Sequence, residues 1–252
     1  MIAARQIAFG KAAGKKEETP AYWGLCFTAE EAGSTIKMNK VGTSTVVTLE
    51  TSYDGDIWEP FTSGKTTITL PKVGDTVFFR AGEGGNTTFH KYSDSYHRFV
   101  MSGKIAANGS IMSLLQGDAA TYTLENAGED CFNGLFANCT SLVSAPELPA
   151  TELSRNCYTT MFYKCTSLVS APELPASSTS SYYYMFYGCE KLEYVKTKLT
   201  SFPSLYSNSI NNWLLKVAPI GTFVCPTALG TNETIQRGAS YCPEGWTVIN
   251  ED

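Results

Sequence analysis

The 252-residue sequence predicts a mixed fold, in which an N-terminal all-β sandwich precedes a short α/β repeat solenoid and a C-terminal β cap. Three observations support this fold class. Up to Lys104, short runs rich in β-branched and aromatic residues alternate with turn residues. The stretch CTSLVSAPELPA then occurs twice, from Cys139 and again from Cys165. Around these copies, apolar residues recur at a spacing that fits one face of a helix.

The composition is that of a globular protein long enough for more than one domain. Hydrophobic residues make up 43% of the chain and charged residues 17%. The changes in residue pattern along the chain define four parts: an N-terminal arm (1–20), an immunoglobulin-like β-sandwich domain (21–104), a repeat stack (105–206) and a C-terminal cap (207–252).

The β domain is predicted from five runs: YWGLCFTA, STIKMN, STVVTLETSY, TTITL and TVFFRAG. Gly, Pro, Asn and Asp separate these runs, as expected for short antiparallel strands. The segment SYDGDIWEPF is typical of a hairpin whose tip is Asp54-Gly55-Asp56, because an Asp-Gly pair tolerates the positive φ of a tight turn. A plain turn is favoured there over a calcium loop, which needs further acidic ligands.

The repeat stack is predicted from three aligned units: CFNGLFANCTSL from Cys131, CYTTMFYKCTSL from Cys157 and SYYYMFYGCEKL from Ser181. Counting from zero, apolar or Cys residues recur at positions +1, +4, +5, +8 and +11, which share one arc of a helix. The proline in LVSAPEL then restricts the next segment to a short extended piece. One short helix and one extended segment in 24 to 26 residues is the pattern of a leucine-rich repeat.

The last unit and the tail are predicted to close the stack. The third unit replaces Pro-Glu-Leu-Pro with charged residues, as a terminal repeat facing water would. The tail contributes NNWLLKV, GTFVCP and EGWTVIN, in which Trp213 and Trp246 are expected to cover the end of the core.

The eight cysteines favour buried packing over disulfide bonds or metal binding, although both alternatives stay open. There is no Cys-x-x-Cys pair, and the chain is long for a disulfide scaffold. Five of them recur at fixed positions of the repeat, where small apolar side chains are expected: Cys131, Cys139, Cys157, Cys165 and Cys189.

Charge and hydropathy argue against two classes of partner. A net charge of −5 with no clustered basic stripe argues against nucleic acid binding. No apolar run approaches the roughly 20 residues needed to span a bilayer, so membrane insertion is not expected. The N-terminal residues also make a poor secretory signal peptide, because they contain no continuous apolar segment.

We expect no catalytic residues, no metal site and no cofactor. The two histidines, His90 and His97, flank Ser93-Asp94-Ser95, which invites comparison with a hydrolase triad. A triad is assembled by the fold, however, and local Ser and Asp residues are common in turns. A hydrolytic module that uses this loop stays open as an alternative.

The candidate binding residues are tyrosines at repeat positions that point away from the core. Positions +2, +3, +6 and +7 face outward on the predicted helix, and they hold Tyr163, Tyr183, Tyr184 and Tyr187. Tyr offers a rigid apolar surface and a hydroxyl at low entropic cost. The alternative is that neighbouring segments cover these side chains. The core arc is predicted to hold the larger apolar residues Phe136, Met161, Phe162, Met185 and Phe186.

The units YTTMFYKCTSLVSAPELPA and YYYMFYGCEKL resemble BspA-like leucine-rich repeats of gut Bacteroidales and their bacteriophages. The resemblance covers about 110–250, including the closing NNWL, GTFV and GWTV segments. The stretches LCFTAEEAGSTIKMN, YDGDIW and SGKIAANGSIMSLLQGD resemble the β-rich domain that precedes such repeats in phage-encoded members. This family is associated with surface display and adhesion.

The resemblance implies a non-enzymatic virion surface component: a head fibre, a capsid decoration or a tail adhesin. With no export signal expected, assembly in the host cytoplasm and location on the virion are favoured over the alternative, a bacterial cell-surface adhesin. The expected partners are other virion proteins and a host-surface protein or glycan, and a homo-oligomer is possible for such a component. The arm residues expected to anchor it are Ile2, Arg5, Ile7 and Phe9.

Overall fold

The structure, a computed structural model, is β-rich. Across the residues that it describes, thirteen strands form three sheets, and the only helices are α1 (Ser113–Gln116) and a 3₁₀ helix (Thr227–Leu229). The described ranges are 24–43, 46–92, 95–116, 129–150, 153–176, 182–202 and 210–251.

The first two sheets are mostly antiparallel, and the third is parallel. The strands are β1 (Cys26–Ala29), β2 (Ser34–Val41), β3 (Leu49–Ser52), β4 (Glu59–Phe61), β5 (Thr67–Leu70), β6 (Thr76–Ala81), β7 (His90–Tyr92), β8 (Ser95–Ser102), β9 (Ile105–Asn108), β10 (Leu142–Ser144), β11 (Tyr194–Lys196), β12 (Gly221–Cys225) and β13 (Trp246–Asn250). The strand orders in the three sheets are β10-β9-β1-β6-β3-β4, β5-β2-β8-β7 and β11-β12-β13.

Each strand-forming run identified between Tyr22 and Gly82 contains a strand of the structure. In β2, buried Ile36 and Met38 alternate with exposed side chains, as expected for a half-buried strand. The first two sheets meet through aromatic rings, since Phe99 of β8 packs edge-on against Phe27 of β1 and Phe79 of β6 at 5.1 and 5.4 Å. Such edge-to-face pairs add to the stabilisation that burial provides.

The predicted fold class is wrong, because the described residues form no helix-containing repeat solenoid. The segments assigned to repeat helices are instead runs of consecutive turns, over 129–138, 155–164 and 183–188. A fourth run follows at 211–216. We call these the four turn segments.

A left-handed residue at every fourth position explains why these segments are not helices. In the first turn segment, Asp130, Gly134 and Asn138 have φ of 61°, 64° and 65°. In the second, Asn156, Thr160 and Lys164 repeat the pattern at 59°, 52° and 57°. A right-handed helix excludes such values, which cost an L-residue other than glycine about 1–2 kcal/mol each.

The sequence pattern misled because a period of four and a period of 3.6 are nearly the same over a short span. They differ by about 10° per residue, which is too little to distinguish across eight or nine positions. The apolar positions +1, +4, +5 and +8 fit a repeat of four equally well, and position +11 lies beyond the end of each turn segment. The signal that favours turns is the residue type at the left-handed positions: in the first unit, Asp130 just before position 0, Gly134 at +3 and Asn138 at +7.

Backbone hydrogen bonds alternate between two directions and stack the turn segments. Within the first segment, the Leu135 N–H donates to the Phe132 carbonyl at 3.1 Å. The neighbouring Phe136 N–H donates instead to the Met161 carbonyl of the second segment at 3.0 Å. The same alternation continues, with Phe162 bonding to Met185 and Phe186 to Trp213. The turns therefore satisfy their backbone groups without helix or sheet.

A column of aromatic rings forms the centre of this stack. Phe99, Phe136, Phe162 and Phe186 lie nearly parallel, with successive centroids 5.3, 5.5 and 5.4 Å apart. Burial of the five predicted core residues is confirmed, since all are fully inaccessible to solvent: Phe136, Met161, Phe162, Met185 and Phe186. The column begins on β8, so one continuous core joins the sheets to the turn segments.

A second column consists of cysteines, whose thiols bond to the backbone of the preceding layer. The Sγ atoms of Cys139, Cys165 and Cys189 donate to the carbonyls of Phe99, Phe136 and Phe162 at 3.2, 3.1 and 3.0 Å. All eight cysteines are buried free thiols, as the packing interpretation predicts. Burial raises the pKa of Cys139 and of Cys189 to about 12.

We expect none of the eight thiols to react quickly with a thiol reagent in the folded protein at mildly alkaline pH. Burial blocks access to all eight, and the raised pKa values of Cys139 and Cys189 leave almost no reactive thiolate at these two. Titration with Ellman's reagent before and after unfolding in denaturant measures this directly. Fewer than eight reactive thiols in the unfolded, unreduced chain would contradict the structure, because it would reveal disulfide bonds.

Candidate binding surface

The four tyrosines selected from the sequence lie together on the surface of the second and third turn segments. Each is partly exposed. Lys164 of the second segment and Asn212 and Lys216 of the fourth lie beside them. We call this surface the tyrosine face, and it consists of Tyr163, Lys164, Tyr183, Tyr184, Tyr187, Asn212 and Lys216.

The tyrosine rings pack against one another and form a continuous cluster. Tyr163 and Tyr187 stack across the two segments, with centroids 5.2 Å apart and an interplanar angle of 12°. Tyr184 lies 5.2 Å from Tyr187 and contacts Tyr183 edge-on at 4.4 Å. The rings therefore hold each other in place, and the surface is ordered before any ligand binds.

The left-handed backbone positions place this cluster. Tyr184, Asn212 and Lys216 have φ of 51°, 52° and 62°. Gly188 occupies the equivalent position one turn after Tyr184, and a Cβ there would come within 3.1 Å of the Lys164 side chain. This glycine therefore lets Lys164 lie across the third segment, beside the tyrosines.

Hydrogen bonds fix two polar groups of the surface. The Asn212 side-chain amide donates to the Tyr184 hydroxyl at 3.1 Å. In the neighbouring layers, the Thr160 hydroxyl donates to the Asn133 side-chain oxygen at 2.9 Å. Partial burial, and then the adjacent Tyr184, raise the pKa of Tyr183, so its hydroxyl remains protonated at neutral pH.

Two lysines border the tyrosine cluster. The Lys164 Nζ lies 5.2 Å from the ring centroid of Tyr163, and the Lys216 Nζ lies 5.4 Å from that of Tyr187. Both distances suit cation–π attraction. A hydrogen bond with Tyr187 raises the pKa of Lys216, so this side chain is charged at neutral pH.

Sequence reasoning missed Asn212 and Lys216, because NNWLLKV was assigned to the cap. The residues Ile210, Trp213 and Leu214 repeat the apolar positions +1, +4 and +5 of the earlier units, and all three are buried. Alignment on that spacing of four would have placed Asn212 at the outward position +3 and Lys216 at +7.

A groove of about 580 Å³ lies on another side of the layers, between the two copies of APELPA. Four prolines, Glu147, Glu173 and Lys198 are among the residues that line it. Two of its charged groups neutralise each other, since the Glu173 carboxylate lies 2.9 Å from the Lys198 Nζ, and Glu173 also lies 3.6 Å from the Lys196 Nζ. The hydrogen bond with Lys198 lowers the pKa of Glu173. We therefore take the tyrosine face as the candidate site.

The structure places the two histidines on opposite faces of their sheet. His90 pairs directly across from Tyr96, so these two side chains share a face. His97 follows Tyr96 in β8 and points to the other face, where its Nδ1 lies 2.8 Å from the Ser63 hydroxyl. Ser93 and Asp94 lie outside the described residues. A site that combines both histidines has no geometric support.

The anchoring residues proposed for the N-terminal arm, Ile2, Arg5, Ile7 and Phe9, also lie outside the described residues. Within the described part, no group of three or more His, Cys, Asp or Glu side chains is arranged to hold a metal ion. No helix there has the length and apolar character to span a membrane.

Comparison of the chain with protein-family models, with curated proteins and with solved structures returns no match. The candidate site therefore rests on its own geometry.

Proposed function

We propose that this protein is a non-enzymatic attachment protein that binds the surface of a host cell through its tyrosine face. The observation that carries the proposal is the packed cluster of four partly exposed tyrosines, in which Tyr163 and Tyr187 stack across two layers. Ordered tyrosines are favoured at recognition surfaces, because they provide contact area and hydroxyl groups at a small entropic cost.

The proposed setting is the surface of a bacteriophage particle, as a head fibre, capsid decoration or tail adhesin. The resemblance of 158–176 and 182–192 to BspA-like repeats of gut Bacteroidales and their phages supports this setting. In this proposal the N-terminal arm binds other virion proteins and the tyrosine face remains outward. A bacterial cell-surface adhesin would use the same face, and it is the alternative setting.

Mass spectrometry of purified particles and of bacterial outer membranes tests the setting. We expect peptides from both ends of the chain in phage particles purified from lysed cultures of the source. Recovery of the chain in the outer-membrane fraction, with none in particles, would contradict the virion setting and favour the adhesin.

The double variant Tyr183→Ala, Tyr184→Ala tests the attachment surface. We expect binding of the labelled protein to Bacteroidales host cells to fall roughly tenfold or more, because aromatic anchors dominate such contacts. The melting temperature should fall by only a few degrees, since both rings are partly exposed and one hydrogen bond to Asn212 is lost.

The matched control is Tyr53→Ala, Tyr194→Ala. It removes two exposed tyrosines away from the tyrosine face: Tyr53, which directly follows β3 and is 60% exposed, and Tyr194 of β11, which is 36% exposed. We expect this control to bind cells as the unmodified protein does. Equal binding by both double variants would remove the tyrosine face from the proposal.

A further inference from the structure

We infer that the tyrosine face binds an acidic saccharide, with carboxylate or sulfate groups placed at Lys164 and Lys216. This inference rests on the proposed attachment function and names the class of its ligand. Three observations support it: the lack of acidic residues at the outward positions of the turn segments, the lack of ion pairs at Lys164 and Lys216 within the described ranges, and the packing of the tyrosine rings against one another.

The outward positions +2, +3, +6 and +7 of the turn segments hold no acidic residue, and the one acidic residue at a left-handed position of these segments is Asp130, at the start of the first segment. The whole chain, by contrast, has 24 acidic residues and a net charge of −5. The outward positions also hold Lys164 and Lys216. The tyrosine face is therefore locally cationic on an acidic protein, and it attracts anions that the rest of the surface repels.

The two lysines differ from those on the groove side in their partners. Lys196 and Lys198 form ion pairs with Glu251 and Glu173 at 2.8 and 2.9 Å. Over the described ranges, neither lysine of the tyrosine face forms an ion pair, and each ammonium lies near a tyrosine ring. Glu190 acts on Lys216 only through weak long-range attraction. An ammonium group has three donor hydrogens, so the hydrogen bond of Lys216 with Tyr187 still leaves two of them available to an anion.

A third cation extends this surface towards β8. The Arg98 guanidinium lies over the Tyr96 ring at 4.7 Å. One of its terminal nitrogens would lie 3.0 Å from a Cβ on Gly134, so that glycine admits the guanidinium beside the first turn segment. Its Nε is buried and has no hydrogen-bond partner in the described structure. Among the residues that the structure describes, no acidic side chain forms an ion pair with Arg98, which thus adds positive charge to this surface.

The rings favour a saccharide over a nucleic acid. Nucleic acid bases bind by stacking on free aromatic faces along a basic groove. Here Tyr163 and Tyr187 use their facing sides on each other, and Tyr183 packs edge-on against Tyr184. The tyrosine hydroxyls and the Asn212 amide are the polar groups of this surface, and such groups suit the hydroxyl groups of sugars.

Binding of the purified full chain to matched polymers tests the inference. The anionic probes are polygalacturonate and dextran sulfate, and the neutral probes are methyl-esterified polygalacturonate and dextran. We expect binding to at least one anionic probe, weakened by added salt, and about tenfold weaker binding to its neutral counterpart. A single-stranded oligonucleotide is included, and we expect it to bind more weakly than the anionic polysaccharide.

The charge variant is Lys164→Ala, Lys216→Ala, and its matched control is Lys37→Ala, Lys72→Ala. Both lower the formal charge equally, but Lys37 lies in β2 and Lys72 in the turn between β5 and β6, away from the tyrosine face. We expect the first variant to lose about tenfold in affinity for the anionic probe and the control to retain its affinity. Equal loss in both, equal binding of neutral probes, no binding to either anionic probe, or tighter oligonucleotide binding would each overturn the inference.

Failure of this inference is distinguishable from failure of the proposed function. If the tyrosine variant loses attachment to cells but neither anionic polymer competes with attachment, the surface is correct and the ligand class is wrong. If the tyrosine variant attaches normally, the proposed function itself is wrong.

Discussion

Phe162→Ala is expected to destabilise the protein by about 3–5 kcal/mol, the usual cost of removing a fully buried phenylalanine ring. Phe162 lies in the middle of the aromatic column, 5.5 Å from Phe136 and 5.4 Å from Phe186. The substitution removes both stacking contacts and leaves a cavity between two layers. Because the column is continuous with the sheets, the melting temperature should fall by about 10 °C or more.

Thermal and chemical denaturation followed by circular dichroism measure this effect. Phe162→Leu is the matched control, because it keeps an apolar side chain at the same position and should cost much less. A melting temperature for Phe162→Ala within a degree of the unmodified protein would contradict the stacked arrangement of the turn segments.

Arg237→Ala is expected to cost about 3 kcal/mol and to cause self-association. The Arg237 guanidinium donates to the Trp246 carbonyl at 2.7 Å and to the Asn232 side-chain oxygen at 2.9 Å. That oxygen also accepts from the Val248 N–H at 3.1 Å. Together these two side chains occupy backbone groups of β13, the outer strand of the parallel sheet. Without Arg237, this edge can pair with another chain.

Sedimentation velocity over a range of concentrations, together with chemical denaturation, measures both consequences. Arg237→Lys is the informative control, because it keeps the charge but cannot donate to several acceptors in a plane, so it should show an intermediate loss. A variant Arg237→Ala that keeps the association state and the stability of the unmodified protein would show that the edge does not depend on this residue.

The strands were predictable from the sequence because each depends on a local pattern. Alternation in STIKMN and the β-branched run TTITL require only that one face of a short strand be buried. The pairing order of the strands was not predictable. It depends on contacts such as β9 pairing with both β1 and β10, which are distant in the chain.

The turn segments were misassigned because their apolar spacing fits two backbone geometries. The period of four requires a left-handed residue at each fourth position, and Thr160, Lys164 and Tyr184 adopt that conformation although their side chains disfavour it. The stacked neighbours supply the interlayer hydrogen bonds that stabilise it, and no single unit carries that information.

The tyrosines of the candidate site were predictable because outward positions depend on the spacing of buried residues, which both geometries share. Their mutual packing was not, since it depends on how far each layer is offset from the next. Lys216 and Asn212 were missed because their segment was treated as a separate cap. The face that includes them is therefore larger and more cationic than the sequence indicated.

Hydroxyl-radical footprinting of the protein free and bound to host cells tests the central claim most directly, namely that the tyrosine face contacts the host. Mass spectrometry reports the oxidation of each tyrosine. We expect protection of Tyr163, Tyr183, Tyr184 and Tyr187 on binding, while exposed Tyr53 stays as reactive as in the free protein. Unchanged oxidation of the four tyrosines in cell-bound protein would contradict the claim.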